Sequence, residues 1–95
     1  MLTGKQKSYL RSEAHHLQPI FQIGKGGLTE PIIKQIEDAL EARELIKVSI
    51  LQNCEEDKND IATKLQEAGI EVVQVIGKIL VLYKESKEKK RITLP

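Results

Sequence analysis

The apolar residues of this chain switch repeatedly between the 3.6-residue spacing of a helix and the alternation of a strand, which restricts the fold to helices packed on a sheet. Leu10, Ala14 and Leu17 fall within an arc of roughly 60° on a helical wheel and predict a helix capped by Thr3 and running to about Leu17. Pro19 stops it, and Pro19–Ile23 (PIFQI) reads as a short strand. Gly24-Lys25-Gly26-Gly27 then forms a tight loop, and Thr29 caps a second helix with Pro31 in its first turn. Ile32, Ile33, Ile36, Ala39 and Leu40 make the apolar face of that helix, and Glu37, Asp38 and Glu41 its wet face. Leu45–Leu51 is a strand, residues 52–59 a polar connection, and a third helix runs from about Glu56 to Ala68 before Gly69, a natural helix-terminating glycine. Ile70–Ile76 and Ile79–Tyr83 are strands joined by Gly77-Lys78, a pair that fits a type II′ hairpin. Residues 84–91 are a basic run, and Ile92–Leu94 a short edge strand.

The expected architecture is a single α/β domain over residues 1–95, with three helices and a mixed four-stranded sheet in the order α-β-α-β-α-β-β. The first two crossovers are expected to be parallel and right-handed, and the last strand pair an antiparallel hairpin. Residues 84–95 are expected to be a flexible basic tail or an edge strand.

Several functional classes drop out at once. The longest apolar run, Ile79–Tyr83, is far short of the roughly 18 residues of a membrane helix. The polar, basic N-terminus is unlike a secretory signal, and one cysteine, Cys54, allows neither an internal disulfide nor a cysteine metal cluster. A cytoplasmic protein, monomeric and without a cofactor, is expected. The adjacent His15 and His16 point about 100° apart on a helix and make a poor metal pair. Cys54 lies in an acidic polar stretch without the electropositive surroundings of a reactive thiolate, and no nucleophile, base and orienting acid can be assembled, so no catalytic or metal-binding residues are expected.

The net charge of +1 hides an asymmetry. Residues 1–34 carry five Lys/Arg and two acids, residues 35–76 four and ten, and residues 77–95 six and two: basic ends around an acidic middle. If both ends meet on one face, that face is electropositive and suits nucleic acid. The three aromatics, Tyr9, Phe21 and Tyr83, are too few for a base-stacking platform and read as core.

The most informative segment is Ile23-Gly24-Lys25-Gly26-Gly27-Leu28-Thr29, between a strand and a helix start. Its glycines leave backbone N–H groups open to a phosphate, the following helix presents its positive end, and Lys25 adds a point charge. A Gly-x-x-Gly turn entering a helix is the device by which KH-type domains clamp nucleic-acid backbone. The spacing fits neither the mononucleotide P-loop nor the dinucleotide fingerprint. The competing reading is a plain turn that needs positive φ. Gly27→Asp is expected to remove affinity with the fold intact, provided φ at that site tolerates a side chain.

Taken together, Leu2–Lys7, Leu10-Arg11, Ala14–Leu17, Gln22–Lys25, Gly27–Thr29, Glu44–Val48 and Gln74–Lys78 resemble the CRM domain, named for chloroplast RNA splicing and ribosome maturation, and in particular its stand-alone bacterial YhbY-like branch. The resemblance spans nearly the whole chain. It implies a fold similar to the C-terminal domain of translation initiation factor three. It implies a non-enzymatic RNA-binding protein acting on ribosomal RNA in precursors of the large subunit. It places an RNA-facing loop on Gly24, Lys25, Gly26 and Gly27, with Lys5, Lys7 and Arg11 as neighbours. Lys47 and Lys78 are further candidates for phosphate contact. The chain departs from the family pattern at Gly26, where many relatives are polar, and at Ser49, where they are often basic. The alternative function is an adaptor docking on ribosomal or other proteins through the acidic middle helix.

Overall fold

A computed structural model describes residues 2–95; Met1, the first residue of the expected domain, lies outside the described residues. The elements are α1 (Gly4–Ala14), β1 (Pro19–Ile23), α2 (Glu30–Arg43), β2 (Leu45–Ile50), α3 (Lys58–Glu67), β3 (Glu71–Ile76) and β4 (Ile79–Tyr83), in the expected order. The sheet runs β1-β2-β4-β3. β1 and β2 are parallel neighbours, while β4 lies between β2 and β3 and is antiparallel to both. The second crossover therefore joins parallel strands that do not touch. The hairpin inserts β4 into the gap between them.

Residue alternation sorts the side chains onto two faces. Ile46, Val48, Ile50, Leu80 and Leu82 join Ile36 and Leu40 of α2 and Ile61 and Leu65 of α3 in the larger apolar cluster. The intervening Leu45, Val81 and Tyr83, with Val73, face Leu10 and Ala14 of α1 in a smaller one. The sheet is thus covered by α2 and α3 on one side and by α1 on the other, and it has two cores.

Local chemistry explains the element ends. Thr3 and Gln6 form a reciprocal capping box at α1: the Thr3 hydroxyl accepts from Gln6 N–H at 3.1 Å, and Gln6 Oε1 accepts from Thr3 N–H at 3.0 Å. The helix stops at Ala14 rather than continuing to Leu17. Pro19 disfavours helical geometry just before it, and the chain turns through His15 and His16, both exposed. Leu17 nonetheless packs against the smaller cluster. Gly69 (φ +86°) closes α3, and Gly77 (φ +56°) is the positive-φ residue of the β3–β4 turn, as a type II′ hairpin requires.

The expected edge strand at Ile92–Leu94 does not form. β4 has neighbours on both sides, so the chain leaving Tyr83 has no free edge beside it. It crosses instead to α1, where Ile92 and Leu94 pack on the smaller cluster and the Pro95 carbonyl accepts from Gln6 Nε2 at 3.2 Å. The last four residues therefore lie against α1, while the basic run before them is tied to Glu41 and Glu44 at the end of α2. The aromatics divide: Tyr83 is buried and Phe21 packs against the larger cluster, but Tyr9 is exposed and not core.

Candidate functional site

The glycine loop leaves the end of β1, where Leu51 N–H donates to Ile23 O at 2.9 Å. Ile50 N–H donates to Lys78 O at 2.7 Å, which brings the β3–β4 turn to the same end of the sheet. Gly24–Gly27 and Lys78 thus share that end. Lys47 stands elsewhere, opposite Val81 and so on the face that α1 covers, half-buried. Lys5 and Arg11 are exposed on α1, and Lys7 is half-buried there. The candidate residues therefore fall into two groups, one at the loop end and one on the α1 side.

The loop is tighter than a run of glycines suggests. Gly27 N–H donates to Gly24 O at 3.0 Å, and Gly27 is left-handed at φ +71°. The N–H of Leu28 donates to Glu56 Oε1 at 2.7 Å, and Glu56 is paired with Lys64 of α3 at 2.5 Å. The Lys64 ammonium, together with the Leu28 N–H, holds the Glu56 carboxyl below the usual carboxylate range against the opposing effect of burial. A Cβ at Gly27 would lie 2.6 Å from Glu56 Oε1. The condition on which the Gly27→Asp expectation rested, a φ that tolerates a side chain, is therefore not met, and the substitution would disturb the loop itself. At Gly26 the backbone is not left-handed and a Cβ meets nothing within 4 Å.

Among the described residues, the N–H groups of Lys25 and Gly26 donate to no protein acceptor. Thr29 precedes α2 without a side-chain cap, and Pro31 has no N–H to offer. Lys25, Lys78, Lys47, Lys5, Lys7 and Arg11 have no carboxylate within 4 Å among the described residues. The loop end is thus a set of open donors beside an unneutralised cation, a geometry that accepts an anion without first breaking a contact.

The acidic face of α2 is solvated at Asp38, as its sequence suggests, but half-buried at Glu37 and Glu41. Asp38 pairs with Lys34 at 3.0 Å, and Glu37 lies 3.9 Å from Lys84. Glu41 accepts from Ser86 and from the backbone N–H groups of Lys87 and Glu88, contacts that hold its carboxyl low. Glu44, at the end of α2, is wholly buried at φ +67°. Burial pushes its carboxyl up, but N–H donors from Ser86, Arg91 and Ile92 and the charge of Lys90 outweigh that and hold it low. Neither Glu56 nor Glu44 stands out in the sequence as a structural residue; only the run of donors each carboxylate collects reveals it. Cys54 is half-buried, with its Sγ 3.5 Å from Glu56 O. No group of three or more metal-ligating side chains and no helix long and apolar enough to cross a membrane occurs among the described residues.

The chain is thus a small α/β protein with helices on both faces of its sheet and an open glycine loop at one sheet end. The chain belongs to the CRS1/YhbY (CRM) domain family, whose pattern it matches over residues 2–84. It is 68% identical over 96 residues to "Probable RNA-binding protein YqeI" of Bacillus subtilis, with 100% of both chains covered. It is 45% identical over 95 residues to the "RNA-binding protein" of Haemophilus influenzae, covering 99% of this chain and 95% of that one. The solution structure of the hypothetical protein SAV1595 from Staphylococcus aureus superimposes with a TM-score of 0.82 at 64% identity, with both chains covered in full.

Proposed function

We infer that this protein binds RNA without catalysing a reaction, and that its target is ribosomal RNA in precursors of the large ribosomal subunit. The observation that carries this reading is the pair of open N–H groups at Lys25 and Gly26 beside the unpaired Lys25 side chain, at the uncapped start of α2. The naming of relatives as RNA-binding supports it. In this reading, loop N–H groups and the α2 N-terminus hold backbone phosphates, so the loop positions RNA without reading its sequence. Lys25 and Lys78 add charge at that end, and Lys5, Lys7, Arg11 and Lys47 extend it along the α1 side. Glu56 fixes the loop from behind by taking the Leu28 N–H, which leaves the N–H groups of Lys25 and Gly26 for a ligand. The protein acts as a monomer in the cytoplasm.

With about four to six phosphates neutralised, log K falls with log salt at a slope of roughly −3 to −5. The test is a salt-series titration of wild type and Lys25→Ala against a transcribed fragment of large-subunit ribosomal RNA and a matched duplex DNA. RNA-preferring binding, with a slope reduced by about one in the variant, is the expected result. Equal, weak binding of both proteins to both nucleic acids would reduce the loop to a turn. Charge reversal at Glu37 and Glu41, the natural test of docking through the acidic helix, also disturbs the hold on Ser86 and Lys84. A docking result would therefore need a folding control.

A further inference from the structure

The segment Lys87–Arg91 takes no part in the reading above. It carries Lys87, Lys89, Lys90 and Arg91 around one acid, Glu88. Such runs are ordinarily unstructured, because like charges repel and little apolar surface is available to bury. Here the backbone is fastened. Glu44 Oε2 accepts from Ser86 N–H at 2.8 Å, and Glu44 Oε1 from the N–H groups of Arg91 and, at 2.8 Å, Ile92. Glu41 accepts from Ser86 Oγ at 2.6 Å and from the N–H groups of Lys87 and Glu88 at 3.0 and 3.2 Å. Ser86 Oγ in turn accepts from Lys89 N–H at 2.7 Å. The result is an arch whose main chain is tied to the end of α2, while the side chains of residues 87–91 are all exposed.

The hydrogen bonds that hold this arch are made by its backbone and not by its charged side chains. Every tie from residues 87–92 to Glu41, Glu44 and Ser86 is made by a backbone N–H, which any residue except proline supplies. The nearest approach of one of these cations to a carboxylate is Lys90 to Glu85 at 3.8 Å, with both side chains about two-thirds exposed. Four cations held on a fixed backbone repel one another, and the charges of Lys87 and Lys90 are the smallest of the contributions that hold Glu41 and Glu44 low. Their arrangement is complementary to a partner with closely spaced negative charge.

The arch lies at the far end of the sheet from the glycine loop. β4 ends at Tyr83 opposite Leu45, whereas the loop adjoins Ile50 and Leu51 at the other end of β2. The six residues of β2 separate these ends by roughly 20 Å. Adjacent phosphates of one strand cannot reach both.

We propose that the Lys87–Arg91 arch is a second phosphate-binding surface, which takes a segment of a folded RNA distinct from the one at the glycine loop. This rests on the RNA-binding reading above. The test combines Lys87→Gln, Lys89→Gln, Lys90→Gln and Arg91→Gln in the full chain. That variant is compared with wild type, Lys25→Ala and the combination of both, by salt-series titration against a folded fragment of large-subunit ribosomal RNA. The arch variant stays folded and melts only slightly below wild type, because it keeps every backbone tie and loses only the minor charge support of Lys87 and Lys90 to Glu41 and Glu44. Its affinity falls about tenfold or more at 0.1 M salt, and its slope drops by about two to three, beyond and additive with the change in Lys25→Ala. If Lys25→Ala weakens binding while the arch variant matches wild type, the second surface is overturned and the loop reading stands. If neither variant differs from wild type, both readings fall. If only the arch variant weakens binding, the arch is supported and the loop is not.

Discussion

At the scale of single residues, Glu56 and Gly27 decide the shape of the candidate site. Glu56 belongs to a stretch that holds four acids in six residues, and no spacing rule connects position 56 to position 28. Its carboxylate nonetheless fixes Leu28 and occupies the space where a Gly27 side chain would stand. Gly27→Ala is therefore expected to lower stability by roughly 1–2 kcal/mol from left-handed strain alone, with displacement of Glu56 adding to it. A urea midpoint shifted by that amount is the check. Gly26→Asp is the cleaner probe, since its site is open. It should leave stability in urea within about 0.5 kcal/mol of wild type and weaken RNA binding by placing a carboxylate beside the loop donors. Wild-type binding by the Gly26→Asp variant would argue against phosphate contact at the loop.

At the scale of elements, the decisive feature is the junction of α2 with β2. Glu44 occupies a left-handed position where glycine is usual, and its backbone is tied on both sides: its N–H donates to Leu40 O at 2.7 Å, and its carbonyl accepts from Lys84 N–H at 3.0 Å. A glycine would relieve the strain but leave Ser86, Arg91 and Ile92 without their acceptor. Glu44→Gln replaces one acceptor oxygen with a donor and strands at least one buried N–H, so it should cost roughly 1–3 kcal/mol, measurable by thermal or urea unfolding. Deleting residues 92–95 uncovers the smaller core. Two half-buried aliphatic side chains, Ile92 and Leu94, contribute about 1.5–3 kcal/mol together, and a chain of this size should melt several degrees lower without them. Element existence was legible in the sequence because each period was clean and most boundaries carried Pro, Gly or a capping residue, the junction at Glu44 being the exception. The tail was not legible. Its hydrogen bonds use main-chain groups that every sequence has, and its carboxylate partners lie more than forty residues away.

At the scale of the whole molecule, two carboxylate clamps tie distant parts of the chain together, Glu56 at one end of the sheet and the Glu41–Glu44 pair at the other. All three carboxyls are held below their ordinary value of 4.5. A group whose pKa is lower in the folded state contributes stability that is complete above the unfolded value and is lost as pH falls through the folded one. Stability should therefore hold from neutral pH down to about 4.5 and decline below it. Glu44→Gln combined with Glu56→Gln should be less stable at pH 7 but show a shallower acid decline. Parallel declines in urea titrations at pH 7, 5, 4 and 3 would mean that other groups dominate the acid response. The charge pattern belongs to this scale too. The two termini, separated by most of the sequence, meet where Gln6 reaches Pro95, while the basic run that precedes Ile92 is held by the acidic end of α2.

The sequence alone determined the element order, the mixed sheet, the family and the glycine loop, because periodicity, turn chemistry and local motifs act over a few residues. Only the tertiary structure decided that β4 inserts between β2 and β3, that Gly27 is backed by Glu56, and that an acidic helix end captures the basic tail. Those outcomes depend on which buried donors find which acceptors across the fold. Burial makes such pairing obligatory, but the linear pattern does not say with whom.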